Sequence, residues 1–152
     1  MRALVQRVKE GGVYIKDPEH VAEIGPGMVI LLGVKDGDQS EDVIFVADKC
    51  CNLRIFEDEL GKMNISLKDI DGEVLVISQF TLYGDAKKGN RPNFTNAAKP
   101  DVAEKLYEMF VSRMQFNLGK DKVKTGVFAA MMDVKIINDG PVTILVESKE
   151  QT

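Results

Sequence analysis

Two apolar stretches constrain this chain more than any other feature. Met28–Val34 (MVILLGV) and the start of Glu73–Phe80 (EVLVISQF) run on without the in-and-out alternation of a half-wet strand. They have strand length, not helix length, and strands of this kind are covered on both faces. A fold with two of them needs apolar layers above and below one sheet.

The available cover is limited. Asp38 followed by Glu41 has capping-box spacing, and Val43, Val46, Ala47, Cys50 and Leu53 recur at helical intervals, which predicts a helix over about 40–52. Pro100 suits a first helical position and Asp101 a first turn. Val102, Leu106, Met109, Phe110, Arg113 and Met114 carry that second helix to about residue 117. The remainder reads as strands and turns. Arg2–Val8 and Val13–Ile15 are strands on either side of a Gly11-Gly12 turn, and Asp17–His20 is a loop. Gly25-Pro26-Gly27 is turn punctuation. Arg54–Phe56 is a short strand before a charged turn at Glu57–Gly61. Further strands fall near Lys124–Val127, Met132–Ile137 and Val142–Glu147. Segment 84–99 lacks periodicity and reads as a long loop, a class that is often functional. Two helices cannot cover both faces of so many strands. The expected fold is mixed α/β: layered, barrel-like sheets with two helices on one side, and one sheet face left for a second copy of the chain.

At 152 residues the chain is expected to form one domain, 1–152. Its 44% apolar and 29% charged residues are ordinary globular composition, and no apolar run reaches the roughly 18 residues of a membrane helix. Charges at Arg2 and Arg7 interrupt the N-terminus too early for a secretory leader. Cys50 and Cys51 are adjacent and do not readily bridge, so a reducing, cytoplasmic compartment is expected, with one thiol in the core and one at its edge. A net charge of −4 argues against a protein that coats nucleic acid, though not against an enzyme that grips one RNA end. The basic residues at Lys87-Lys88-Gly89-Asn90-Arg91 and at Lys120, Lys122 and Lys124 read, on their own, as solvated loop surface.

The chemistry is defined first by what is missing. The one histidine, His20, falls in the loop and reads as solvated. No Ser-His-Asp triad, zinc-spaced cluster, GxxxxGK[ST] or GxGxxG is present, so no metal or cofactor is expected. Two segments remain. Ser78-Gln79-Phe80-Thr81 closes an apolar strand. Alternation puts Leu75, Ile77, Gln79 and Thr81 on one face and Val74, Val76, Ser78 and Phe80 on the other. Such an end can offer hydroxyls, an amide and backbone N–H groups to a pocket, or can simply finish the strand with local hydrogen bonds. Asn138-Asp139-Gly140-Pro141-Val142-Thr143 lies between two strand-like runs, where Asp-Gly is a turn signal that reads as a hairpin.

Together these segments resemble the two signature motifs of the D-aminoacyl-tRNA deacylases. The likeness runs from Met1 to Ser148. It includes the opening Met1-Arg2-Ala3-Leu4-Val5-Gln6-Arg7-Val8, then Leu53-Arg54-Ile55-Phe56, Gly61-Lys62-Met63-Asn64 and Lys88-Gly89-Asn90-Arg91-Pro92. One departure is plain: where the family usually has Phe-Gly-Ala-x-Met, this chain has Phe128-Ala129-Ala130-Met131-Met132.

The resemblance implies a homodimer of three-layer β/β/α subunits that hydrolyses D-aminoacyl-tRNA and spares the L form. It implies a pocket wall at Ser78, Gln79, Phe80 and Thr81, assigned as the catalytic residues. It implies a cis Gly140-Pro141 that enters the partner's pocket and rejects L side chains, so that achiral glycine passes. Arg7, Asn138, Val142 and Thr143 would support that loop. Phe128, Ala130, Met132, Lys88 and Arg91 would meet the terminal adenosine and the tRNA acceptor end. Thr81 lacks a base to activate it, which agrees with hydrolysis assisted by the RNA 2′-OH. Two alternatives stand beside this reading. A sister group with a trans Gly-Pro removes L-alanine, but its motif departs from Ser-Gln-Phe-Thr and its proline precedes Tyr, whereas here Pro141 precedes Val142. A non-catalytic dimer that binds nucleic-acid ends is the other, although such relatives usually carry added tails and here only Glu150-Gln151-Thr152 closes the sequence.

Overall fold

The computed structural model describes residues 1–148. Eight strands and two α-helices follow in the order β1 (Arg2–Ile15), β2 (His20–Ile24), β3 (Gly27–Gly33), α1 (Ser40–Asn52), β4 (Phe56–Glu57), β5 (Met63–Ile65), β6 (Glu73–Ser78), α2 (Pro100–Leu118), β7 (Val123–Thr125) and β8 (Asp133–Glu147). The two apolar runs become β3 and β6, which pair in parallel from Gly27↔Glu73 to Leu32↔Ser78. The backbones come so close at the start of this ladder that a Cβ on Gly27 would lie 1.8 Å from the Glu73 carbonyl oxygen.

β1 is the spine. One of its edges pairs first with β3 (Arg2↔Gly33 to Val8↔Gly27) and then with β2 (Gly11↔Ile24 to Ile15↔His20). Its other edge pairs with β8 along nearly its whole length. β7 adds to β6 in parallel, and His20 Nε2 lies 2.8 Å from the Thr125 carbonyl, joining β2 to β7. The result is a nearly closed, barrel-like sheet.

The uninterrupted apolar character of β3 and β6 now has its cause. Val29, Leu75 and Ile77 point into the barrel with Val8, Val13, Ile15 and Ile24. Met28, Ile30, Leu32, Val74 and Val76 point the other way, beneath α1 and α2. Each fully buried side chain of this size contributes about 1.5–3 kcal/mol of transfer free energy. The α2 face that meets the sheet is Ala103, Leu106, Tyr107, Phe110 and Met114, while Val102 and Met109 are exposed. Arg113 is no flaw in this pattern. Its Nε and Nη2 donate to the two Asp48 oxygens at 2.8 and 2.9 Å, clamping α2 to α1 and holding the Asp48 carboxyl below its usual range.

Several expectations change. Gly11-Gly12 is no turn: it lies inside β1, where a Cβ on Gly11 would meet Val29 Cγ2 at 2.7 Å. The capping box sits one residue later than expected, because Asp38 is engaged by the Met1 ammonium and the Lys35 N–H, and the Gln39 N–H donates instead to Asp42 Oδ2 at 2.8 Å. His20 is half-buried and begins a strand. Its ring is held by Thr125, so it is not a solvated loop histidine. Both thiols are fully buried, Cys51 as deeply as Cys50, and burial pushes the Cys51 thiol up to about 11. The Arg54–Phe56 strand shifts to Phe56–Glu57 and pairs with β5, whose Met63–Ile65 has too little alternation to be seen in advance. The two last strands are one continuous β8, so Asp139-Gly140 is not a hairpin turn. Among the described residues, no helix is long and apolar enough to cross a membrane.

Candidate active site

β6 ends at Ser78. The Gln79 N–H still donates to the Leu32 carbonyl at 2.8 Å, and the chain then tightens into a 3₁₀ turn over Phe80–Tyr83. The alternation expected through Thr81 therefore fails after Ser78. A 3₁₀ turn leaves its first backbone N–H groups, here those of Phe80 and Thr81, without an intrahelical acceptor.

A cavity of about 690 Å³ opens at the carboxyl ends of the parallel strands β3 and β6. Ser78, Gln79 and Phe80 form one wall; Phe128, Ala130 and Met132, on the chain leaving β7, form the other. Small residues of the α2 end, Ala98 and Ala103, leave the space between them. Phe80 and Phe94 meet edge-to-face at a centroid distance of 5.2 Å on the rim, and Phe128 leans on Tyr107 at 6.0 Å. Apolar walls with a few convergent polar groups are the usual build of a small-molecule site. Among the described residues Lys99 is the one titratable side chain on the lining, and none of them places a carboxylate or imidazole there to serve as general base. The Thr81 hydroxyl accepts a hydrogen bond from the Gln79 side-chain amide, and an amide N–H cannot take its proton. Among the described residues, no group of three or more His, Cys, Asp or Glu side chains could hold a metal.

Ala129, where the resemblance expects glycine, has φ of 63°. This is the left-handed region, where glycine has no steric cost and alanine does.

The second motif lies elsewhere. β8 pairs with β1 at Gln6↔Thr143 and again at Val8↔Asn138, so Asp139–Val142 is extruded as a bulge between two paired stretches. Asn138 closes its neck: its Oδ1 accepts the Val142 N–H at 2.8 Å, and its Nδ2 donates to Thr143 Oγ1 at 3.1 Å. Arg7, 6% exposed, lies beneath. Its Nε donates to the Asp139 carbonyl at 3.0 Å and its Nη1 to the Ile55 carbonyl at 2.7 Å. Gly140 has φ of 130°, and a Cβ there would lie 3.0 Å from Arg7 Nη2, so the position requires glycine. The Gly140–Pro141 peptide is cis, as is Asp17–Pro18, and both Gly140 and Pro141 are exposed.

Ser78, Gln79, Phe80, Phe128, Ala130 and Met132 thus share one cavity. Thr81 adjoins it without lining it. Gly140, Pro141, Arg7, Asn138, Val142 and Thr143 form a separate cluster on β1 and β8. Lys88 and Arg91 are exposed on the 84–99 loop and do not reach the lining. Sequence reasoning missed Val34, Phe94 and Lys99 as lining residues. For Phe94 and Lys99 the signal was present: an aromatic and a cation within a long aperiodic loop.

The family model described as D-Tyr-tRNA(Tyr) deacylase matches residues 4–147. The D-aminoacyl-tRNA deacylase of Caldicellulosiruptor saccharolyticus is 57% identical over 150 residues, covering 99% of each chain. The solved structure of a c-Myc DNA unwinding element binding protein superposes with a TM-score of 0.92 at 39% identity, covering 99% of this chain and 100% of that one. That of a probable eukaryotic D-amino acid tRNA deacylase shares the fold, with a TM-score of 0.83 at 17% identity over 96% and 98% of the two chains. By the match along nearly its whole length, this chain belongs to the D-Tyr-tRNA(Tyr) deacylase family.

Proposed function

We propose that this protein is a hydrolase that cleaves the ester of D-aminoacyl-tRNA, releasing free D-amino acid and tRNA. The observation that carries the proposal is the shared cavity, with Ser78–Phe80 on one wall and Phe128–Met132 on the other, in a chain 57% identical to a D-aminoacyl-tRNA deacylase. The terminal adenosine packs against Phe128, Ala130 and Met132. The ester carbonyl lies at the Phe80 turn, whose free N–H groups stabilise charge developing on oxygen. Water adds to that carbonyl, the bond to the ribose oxygen breaks, and the ribose oxygen regains a proton. With no carboxylate or imidazole on the lining among the described residues, the neighbouring 2′-OH assists, and positioning of an already labile ester supplies much of the rate.

Stereochemical selection belongs to the Gly140–Pro141 loop. In the proposed homodimer of three-layer β/β/α subunits, the loop of one protomer faces the other's pocket and directs carbonyl oxygens at the α-carbon. An L side chain collides with them, a D side chain points to solvent, and glycine has nothing to reject. The exposed apolar residues Val134, Ile137, Ile144 and Leu145 along β8 give such a dimer its surface.

A second reading, a dimer that binds nucleic-acid ends without catalysis, draws on the likeness to the DNA unwinding element binding protein. Hydrolysis of D-Tyr-tRNA, L-Tyr-tRNA and Gly-tRNA measured side by side separates the two. Fast loss of the D-tyrosyl and glycyl esters with the L ester spared is the expected result. Equal loss of all three removes the selective loop, and no loss of any ester puts the binding module ahead.

A further inference from the structure

A second cleft lies directly behind the wall of the cavity. Val34–Asp36 and Asn96–Ala98 are zipped together: Ala98 N–H donates to the Val34 carbonyl at 3.0 Å, Asp36 N–H to the Asn96 carbonyl at 2.9 Å, and Lys35 and Ala97 form an antiparallel bridge. Val34, Ala97 and Ala98 line the cavity, and Lys35 and Asn96 of the same two segments line a separate cleft of about 420 Å³. The paired segments border both spaces.

The cleft is polar and positively charged. Its lining carries Arg2, Lys35 and Lys87 against one carboxylate, Asp85, whose Oδ1 is engaged by the Lys87 backbone N–H at 2.9 Å. Arg2 is fixed in place: Nη1 donates to the Leu82 carbonyl at 2.9 Å, and the guanidinium lies 4.6 Å from the Tyr83 ring centre. Its Nε is buried, 3.3 Å from Glu147 Oε1, yet has no hydrogen-bond partner among the described residues. Among the described residues neither the Lys35 nor the Lys87 ammonium has a carboxylate within ion-pair distance. Two lysine ammoniums without an ion-pair partner among the described residues, beside a fixed guanidinium, are suited to an anion.

We infer that this cleft binds phosphodiester groups of the substrate's single-stranded RNA end, next to the cavity that takes its terminal nucleoside. The inference rests on the deacylase reading and names the part of the substrate that the cavity cannot hold. An adenosine between Phe80 and Phe128 still has an RNA chain leaving it, and every further nucleotide brings one phosphate. Phosphate binding of this kind holds register without reading sequence. It lets a chain of net charge −4 bind RNA by a local cluster instead of a broad basic face.

The test compares D-Tyr-tRNA with D-tyrosyl-adenosine, which has the ester and the nucleoside but no phosphate. For a Lys35→Ala, Lys87→Ala double variant, kcat/KM for the tRNA relative to the adenosine ester should fall roughly tenfold, mainly through KM. The dependence of log(kcat/KM) on log[salt] should flatten by about 0.7 for each phosphate that the variant leaves unneutralised. Lys105→Ala, Lys120→Ala, at two exposed positions outside the cleft, serves as the charge-matched control and should change neither readout. An unchanged ratio and salt slope overturn the inference, as does a parallel loss on both substrates, which would mark the cleft as structural. If the wild-type protein hydrolyses neither substrate, the deacylase reading fails and this one with it. Lys35→Arg, Lys87→Arg should restore the ratio, because the charge is kept.

Discussion

The end of β6 and the bulge of β8 hold the two signature segments, and the fold treats them oppositely. Ser78–Phe80 is enclosed: it faces Phe128–Met132 across a cavity of about 690 Å³. Asp139–Val142 is extruded from an outer strand, with Gly140 and Pro141 exposed. Yet the bulge is no loose loop. Asn138 closes its neck and Arg7 supports it from a nearly buried position. A segment held this firmly and turned outward is built to meet something else. In the function proposed above, the enclosed region binds and hydrolyses the ester and the extruded one selects stereochemistry on a second copy.

Removing the brace should break the comparison most strongly. Arg7→Ala deletes two hydrogen bonds from a buried cation, each worth about 1.5–3 kcal/mol. A loss of about 3 kcal/mol in denaturant unfolding is expected, together with a drop of about a hundredfold in the D/L ratio of kcat/KM. KM for the D ester should move little, since the cavity is elsewhere. A large rise in KM with the D/L ratio intact would reverse the assignment. On the enclosed side, Phe128→Ala should raise KM roughly tenfold by removing an apolar wall, with discrimination preserved. A change in the D/L ratio would show that the two regions are not separate.

Smaller effects sharpen the picture. Ala129→Gly relieves a left-handed backbone at φ of 63° and should stabilise the fold by about 1 kcal/mol, seen as a rise in Tm. Thr81→Val removes the hydroxyl but no base-activated nucleophile, so kcat should stay within about threefold of wild type. A loss of several orders of magnitude would restore Thr81 as a nucleophile.

The amino-acid sequence makes one half of this arrangement readable. The continuous apolar character of Met28–Val34 and Glu73–Ile77 announces strands buried on both faces, and both helices follow their periodicity to within a residue or two. What stays hidden depends on partners distant in the chain. Gly11-Gly12 looks like a turn until Val29 and β8 pass beside it. Asp139-Gly140 looks like a hairpin because local chemistry cannot reveal that β1 pairs on both sides of it. His20 looks solvated because Thr125, its partner, is 105 residues away. The cavity follows the same rule: Ser78 and Phe80 stand out beside the resemblance, whereas Val34 and Ala98 carry no mark of their own.

The most direct measurement is a mixing experiment. One variant lacks Gly140 and Pro141, shortening the excursion while leaving its cavity intact. The other carries Ala130→Trp, which fills the cavity but keeps the loop. The loop-deleted protein alone should hydrolyse both D- and L-Tyr-tRNA. Co-folded with a growing excess of the cavity-filled partner, it should keep its D activity and lose its L activity, because nearly every open cavity then faces an intact loop from the other subunit. L hydrolysis that persists at every mixing ratio would contradict the account, and would place selection within the chain that holds the cavity.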